Sequence, residues 1–274
     1  MSEIETAVAE HYGASDLLER ILAGLEASGA DPDNLKAGDL APVEEFHIGG
    51  RAATERTVAK LAPGKDHHVL DVGCGIGGTA RYLAGHVGCR VTGIDLTPEY
   101  IDIARNLTKR TRLDDRAGYH VASALDMPFE DASFDAAITI HVAMNIHDRA
   151  GLYGEIARVM KPGARLCVYD VMKKNADDIT YPVPWAETPE TSHLTTPDEM
   201  RDLLGAAGFD VVEVEDRTEF ALEFFAQNVA ASAGGPPPLG LHIIMGERAP
   251  EKFRNMLMNV QSGRIAPVQI IATR

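Results

Sequence analysis

A chain of 274 residues can bury a sizeable core, as one large domain or two small ones. Its formal net charge of −15, from 41 acidic and 26 basic side chains, disfavours nucleic acid as a substrate, because phosphate contacts need a basic surface. No apolar run approaches the roughly 20 residues that span a bilayer. The acidic opening Met1–Glu5 lacks the apolar core of a signal peptide. Cys74, Cys89 and Cys167 form neither a CxxC pair nor a zinc spacing, and no paired histidine spacing suggests a metal. An odd cysteine count without a secretion signal suits a reducing compartment, so a cytoplasmic location is expected, with no metal, membrane or nucleic-acid partner.

In chain order, the apolar spacing predicts two short amphipathic helices over 4–12 and 17–25. Gly29, Pro32, Asn34 and Gly38 punctuate the link that follows, and 40–50 reads as a loop before a helix over 51–61. From His67 strand and helix patterns alternate. Strands are predicted near 67–72, 90–95, 118–123, 134–140, 164–171 and 210–215, and helices near 77–85, 98–111, 150–160 and 197–207. Such alternation implies right-handed crossovers and a mainly parallel sheet covered by helices. The stretch 173–195 has no clear period. A helix over 218–231, a break at Gly234–Pro238, a helix near 250–260 and a strand over 267–273 complete the chain.

The most informative stretch is Val69-Leu70-Asp71-Val72-Gly73-Cys74-Gly75-Ile76-Gly77-Gly78. A buried strand that turns through glycine into a helix brings bare backbone N–H groups against a ligand. A side chain at Gly73 or Gly75 is expected to block that approach. Gly73, Gly75 and Gly78 also satisfy G-x-G-x-x-G, so a nicotinamide or flavin site must be weighed. Asp71 argues against it, since a carboxylate there repels a diphosphate and attracts an ammonium or sulfonium. Asp95 closes the second strand, where it can accept bonds from ribose hydroxyls, and Asp126 follows the third, where it can accept a bond from an adenine amino group.

With Asp71–Gly77, Asp95, the run Leu125-Asp126-Met127-Pro128-Phe129, the Phe134-Asp135 strand opening and the run from Val159 to Leu166 in this order, the chain resembles the class I S-adenosylmethionine-dependent methyltransferases over roughly residues 45–215. Among them it is most similar to small-molecule enzymes of the quinone-biosynthesis and sarcosine/dimethylglycine type. The resemblance implies an α/β, Rossmann-like, doubly wound and mainly parallel seven-stranded sheet with an antiparallel last strand and helical additions. It implies one domain over 1–274: a helical cap over 1–60, a cofactor-binding core over 61–172, and acceptor-side insertions with the terminal strands over 173–274. The hairpin of the last two strands would hold an insertion of about 50 residues, too long for an ordinary loop.

The resemblance also assigns roles. Gly73, Cys74, Gly75 and Gly77 should back the methionine part of S-adenosylmethionine, and Asp71 should fix its ammonium. Asp95, with Leu96, should take the ribose, and Asp126, with Leu125 against the ring, the adenine. The His141 carbonyl should face the ammonium. His141 and His147 are the candidate proton acceptors, with Asp148 a helix N-cap. Tyr12, Phe46, His47, Trp185 and His193 are the candidate contacts to a small-molecule methyl acceptor. Nitrogen ranks slightly ahead of oxygen or activated carbon as the accepting atom, and a homodimer is compatible with the pattern. An NAD-dependent oxidoreductase and a non-catalytic cofactor-binding protein are the alternatives.

Overall fold

The computed structural model describes residues 16–36, 38–231, 235 and 237–274. The helix expected over 4–12, and Tyr12 with it, lie outside the described residues. Seven strands form one sheet: β1 (His68–Val72), β2 (Arg90–Asp95), β3 (Ala117–Val121), β4 (Phe134–Ile140), β5 (Met160–Lys173), β6 (Asp210–Asp216) and β7 (Ile265–Thr273). Their order is β3-β2-β1-β4-β5-β7-β6, and β7 runs antiparallel to both its neighbours. The chain's direction across the sheet reverses between β1 and β4, so a crevice opens beyond the carboxyl ends of those two strands.

Strand alternation places the core on both faces. Leu70, Val72, Ala137, Leu166, Val168 and Ile270 point to one side. There they meet α6 (Arg149–Val159) and α7 (Pro197–Ala206). Val69, Ala136, Ile138, Cys167 and Ile271 point to the other side, against α3 (Gly50–Leu61), α4 (Gly78–Tyr82) and α5 (Pro98–Arg110). Local chemistry agrees with these assignments. Thr196 and Glu199 form a reciprocal capping box with Pro197 in the first turn of α7. The Asp148 carboxylate accepts from the Gly151 amide at 2.8 Å and caps α6 as expected.

The structure departs from the sequence reading at several element ends. The expected loop 40–50 begins with a short helix, α2 (Ala41–Glu44), and α1 covers Leu17–Ala27. The helix after the glycines passes into a π turn at Leu83–Val87, and β5 begins at Met160, four residues earlier than predicted. Between β6 and β7 lie α8 (Thr218–Ala231), α9 (His242–Met245) and α10 (Ala249–Gln261).

The aperiodic stretch 173–195 is strapped to α10. Asn255 Nδ2 donates to the Pro182 carbonyl at 3.0 Å, and Asn259 Nδ2 to the Thr180 carbonyl at 2.9 Å. Glu187 pairs with Lys252 and Arg248, each at 2.6 Å. Irregular backbone is held here by side-chain amides and ions in place of a ladder.

The cap joins the core through buried charge. Glu44, fully buried at the end of α2, accepts from Arg81 Nη2 at 2.5 Å and Arg51 Nη2 at 2.5 Å. Arg81, just below it in α4, also donates to Thr108 Oγ1 at 3.1 Å. Removing one partner from such a cluster strands a charge without water. Arg81→Leu should therefore cost about 3 kcal/mol, read as a lowered urea midpoint, and pairing it with Glu44→Leu should recover part of the loss. A loss below about 1 kcal/mol, the level of an exposed pair, would count against a structural role for this cluster.

Candidate active site

The glycine turn follows β1 directly. The amides of Gly73 and Cys74 both donate to the Ile94 carbonyl, at 2.8 and 2.9 Å, which folds the turn over the end of β2. Gly73 and Gly75 both have positive φ, at 72° and 53°. A Cβ on Gly73 would lie 2.3 Å from Val142 Cγ2, whereas one on Gly75 would meet nothing within 4 Å. Gly73 thus keeps the turn close to the loop after β4. Gly75 is needed for its conformation and leaves open space beside it.

That space is a cavity of about 320 Å³ at the carboxyl ends of β1, β2 and β4. Asp71, Gly73, Cys74, Gly75 and Thr79 form its floor, and Ile94, Asp95, Leu96, Thr97 and Tyr100 one wall. Ser123, Ala124 and Leu125 close the far end, His141, Val142 and Asn145–Asp148 the opposite wall, and Glu44, Phe46 and His47 come from the cap. Gly77 is not in the lining. A Cβ there would strike Tyr119 Oη at 2.7 Å, so close packing alone requires glycine at this position.

The floor carries the electrostatic signal. Asp71 is buried and its Oδ2 has no hydrogen-bond partner. Burial, with the Asp95 carboxylate nearby, pushes it up to about 7. A buried carboxyl with one unpartnered oxygen facing a cavity is suited to a cationic ligand group, which fits the ammonium of S-adenosylmethionine. Asp95 accepts from the Gly75 amide through Oδ2 and from the Thr97 amide through Oδ1, both at 2.9 Å. It is therefore fixed in orientation at the cavity wall, though burial raises it too.

Asp126 lies elsewhere: it is exposed, outside the lining, in a turn where its amide donates to the Ser123 carbonyl at 3.3 Å. Leu125, Ala124 and Ser123 form the wall that the sequence reading gave to Leu125 and Asp126.

Beyond Phe46, His47 and His141 lies a smaller annexe of about 50 Å³, and these three residues line both spaces. Trp185, Phe224, Phe225, Phe253, Met144 and Met256 face it. Sequence reading found Trp185. It placed the acceptor side in 173–274 as a whole without singling out Phe224, Phe225, Phe253 and Met256, whose apolar character in α8 and α10 is indistinguishable from helix packing. Trp185 Nε1 donates to Ser192 Oγ at 2.9 Å and its carbonyl accepts from Asn145 Nδ2 at 2.8 Å, which fixes the ring.

The histidines divide by environment. His47 Nε2 lies 3.1 Å from both the Gly50 carbonyl and Thr54 Oγ1, and 3.5 Å from Glu45 Oε2. A carbonyl has no proton to give, so Nε2 carries the hydrogen and Nδ1 holds the free lone pair. Burial holds His47 down at about 4. His141, with φ of 55° and its amide donating to the Tyr169 carbonyl at 2.8 Å, turns the chain from β4 across the site. Its Nε2 is buried without a partner, and burial beside His47 keeps the ring neutral. The His141 ring centroid lies 6.0 Å from that of His47 and 5.2 Å from that of Tyr169.

Behind them Asp170 accepts from the Val142 amide at 2.9 Å and anchors the loop. Tyr169 donates to the Ile48 carbonyl at 3.0 Å, under the buried Arg217 guanidinium. His147 sits exposed on the rim of the larger cavity, its ring centroid 5.1 Å from that of His193. His193 donates its amide to the Met144 carbonyl at 2.8 Å and lines neither cavity.

Comparison with known proteins agrees with this geometry. Residues 70–168 match the family model described as a methyltransferase domain. The O-methyltransferase cnsE of Penicillium expansum is 33% identical over 216 residues, 78% of this chain and 76% of the relative. An O-methyltransferase of Pyrenophora dematioidea is 31% identical over 224 residues, 79% of this chain and 81% of the relative. Further matches carry the names of N- and C-methyltransferases. The solved geranyl diphosphate C-methyltransferase from Streptomyces coelicolor A3(2), with S-adenosyl-L-homocysteine bound, superimposes with a TM-score of 0.74 at 17% identity, over 100% of this chain and 98% of that one.

Asp71 generates a prediction. A bound ammonium favours the ionised carboxylate, so a group that holds its proton up to about 7 must release it on binding. S-adenosylhomocysteine binding at pH 6 should release close to one proton, seen as a dependence of the calorimetric enthalpy on buffer ionisation. The release should fade above pH 8, affinity should fall as pH drops below 7, and Asp71→Asn should abolish both effects. Binding at pH 6 with no proton release would remove Asp71 from contact with the ammonium.

Proposed function

Because the chain belongs to the S-adenosylmethionine-dependent methyltransferases of small molecules, we propose that it methylates a hydroxyl oxygen, with His47 accepting the proton. That membership sets aside the NAD-dependent alternative. The observation that carries the reading is the place and state of His47. It stands at the junction of the cofactor cavity and the annexe, neutral, with its tautomer fixed and a carboxylate behind it.

The cofactor, when bound, supplies an electrophilic methyl group and a neutral thioether leaving group. As the acceptor oxygen takes up that methyl group, its proton would pass to Nδ1 of His47. An amine that arrives neutral needs no such acceptor, whereas a hydroxyl does. Glu45 Oε2 faces Nε2 at 3.5 Å, while burial and the Arg51 and Arg217 guanidiniums hold the ring toward its neutral form, so the imidazolium is short-lived and passes its proton on.

Two considerations move the reading from nitrogen, ranked first on sequence, to oxygen: this histidine–carboxylate arrangement, and relatives named O-methyltransferases. His141 borders the junction and, with Tyr169 behind it, keeps His47 in place and water out. His147 belongs to the rim. Asp71, Gly75, Asp95, Leu96 and Leu125 hold the cofactor, and the segments around Trp185 and in α8–α10 form the acceptor wall.

His47→Gln should lower kcat toward a hydroxyl acceptor by about 10²–10⁴-fold, with little change in S-adenosylhomocysteine affinity by calorimetry. Because His47 stays neutral down to about 4, wild-type kcat/KM should show no loss from its protonation between pH 6 and 9. Unchanged kcat in a folded His47→Gln protein would overturn the assignment.

A further inference from the structure

The annexe has a definite chemical character. Beyond the His47 and His141 rings at its edge, its walls are apolar: Met144, Trp185, Phe224, Phe225, Phe253 and Met256. Among the described residues no lysine, arginine or carboxylate lines it, and no lysine or arginine lines the larger cavity. The stretches outside the described side chains, 1–15, 37, 229–234 and 236, contain no lysine or arginine either.

The domain's buried guanidiniums are turned to other work. Arg81 and Arg51 are spent on Glu44 and Glu45, and Arg217 on Gln269 and the Tyr169 face. Arg149 donates to the carbonyls of Ile146 and His193. Of the carboxylates that line the larger cavity, Glu44 is paired with arginines, Asp95 is held by amides and Asp148 caps α6, while Asp71, with one unpartnered oxygen, lies on the cofactor side.

We infer that the acceptor is an uncharged, apolar molecule, whose hydrocarbon part points from His47 toward the annexe while its hydroxyl stops at His47. This rests on the hydroxyl reading above and adds the class of molecule that carries the hydroxyl. Burying an unpaired charge in such walls costs far more than it returns, so anionic and ammonium-bearing acceptors are rejected. The walls are also pre-formed. The Trp185 backbone and ring are fixed by Asn145 and Ser192, and the strap that carries them is tied to α10 by Asn255, Asn259 and Lys252. An apolar ligand therefore gains contact without ordering the site.

Trp185 is the chain's single tryptophan, so its fluorescence reads the annexe directly. Full-length protein saturated with S-adenosylhomocysteine is titrated with three nitroaromatic quenchers of one ring size: 4-nitrobenzyl alcohol, 4-nitrobenzoate and 4-nitrobenzylammonium. The alcohol should quench at concentrations at least ~10-fold lower than either ion. Leu241→Lys, which places a cation in the annexe wall, should shift the preference toward 4-nitrobenzoate by ~10-fold or more. Equal or tighter quenching by either ion in the wild type, absence of quenching by all three, or a charge preference unmoved in Leu241→Lys would each overturn the inference. Quenching needs no turnover. A charge preference retained in His47→Gln, beside transfer rates that do not depend on His47, would therefore sink the hydroxyl reading and leave the annexe assignment standing.

Discussion

Two adjacent carboxylates buried in the cap, Glu44 and Glu45, set the geometry on which the site depends. Neither can stay in an apolar interior without cations, and burial raises both against the pull of their arginines. Arg81 reaches Glu44 from the helix after the glycine turn, and Arg51 reaches both from the helix after the cap. One ionic cluster thus ties the cap to the element that cradles the cofactor and to the helix that covers it. The residues carried between those ties are Phe46 and His47. Gly49 then brings the cap against α8, where a Cβ would lie 2.3 Å from Phe220. Their position at the junction of two cavities follows from where the charges had to go.

The two cavities differ because different parts of the chain build them. The larger one sets buried acids and the glycine turn among apolar side chains, at the carboxyl ends of β1, β2 and β4, where a doubly wound sheet leaves its crevice. The annexe comes from the cap, the strap after β5 and the helices inserted before β7, and it is almost wholly apolar. A cationic co-substrate and an apolar acceptor can thus be held by surfaces that differ in their buried acids, present in the larger cavity and missing from the lining of the annexe. The neutral imidazoles of His47 and His141 mark the boundary between them. Water excluded at that boundary is water that cannot compete for the methyl group.

Much of this was legible in sequence where the signal is local. Strand alternation gave both faces of the sheet, the glycine turn located the crevice, and Asp71 and Asp95 stand where their strand ends place them. Trp185 was found because an aromatic in an aperiodic stretch has no helix stripe to join. What was missed is long-range. The Glu44–Arg81 pair joins positions 37 apart that share no period, and Phe253 and Met256 sit at helical spacing that reads as ordinary core. Asp126 follows a strand in sequence, but β3 ends at Val121, and the tight turn from Ser123 leaves its side chain exposed. The difference between His47 and His147 lies entirely in surroundings, Glu45, Thr54 and Gly50 against an open rim, and surroundings are a tertiary property.

The central claim is that the acceptor's hydroxyl is delivered to His47 from the annexe. A crystal structure with S-adenosylhomocysteine and 4-nitrobenzyl alcohol bound together tests it most directly. The ring should point from His47 toward Trp185 and Phe225, with the hydroxyl oxygen about 3 Å from Nδ1 of His47 and on the side facing the cofactor's sulfur. A hydroxyl bound against His147 at the rim, or a ring directed away from the annexe, would contradict it.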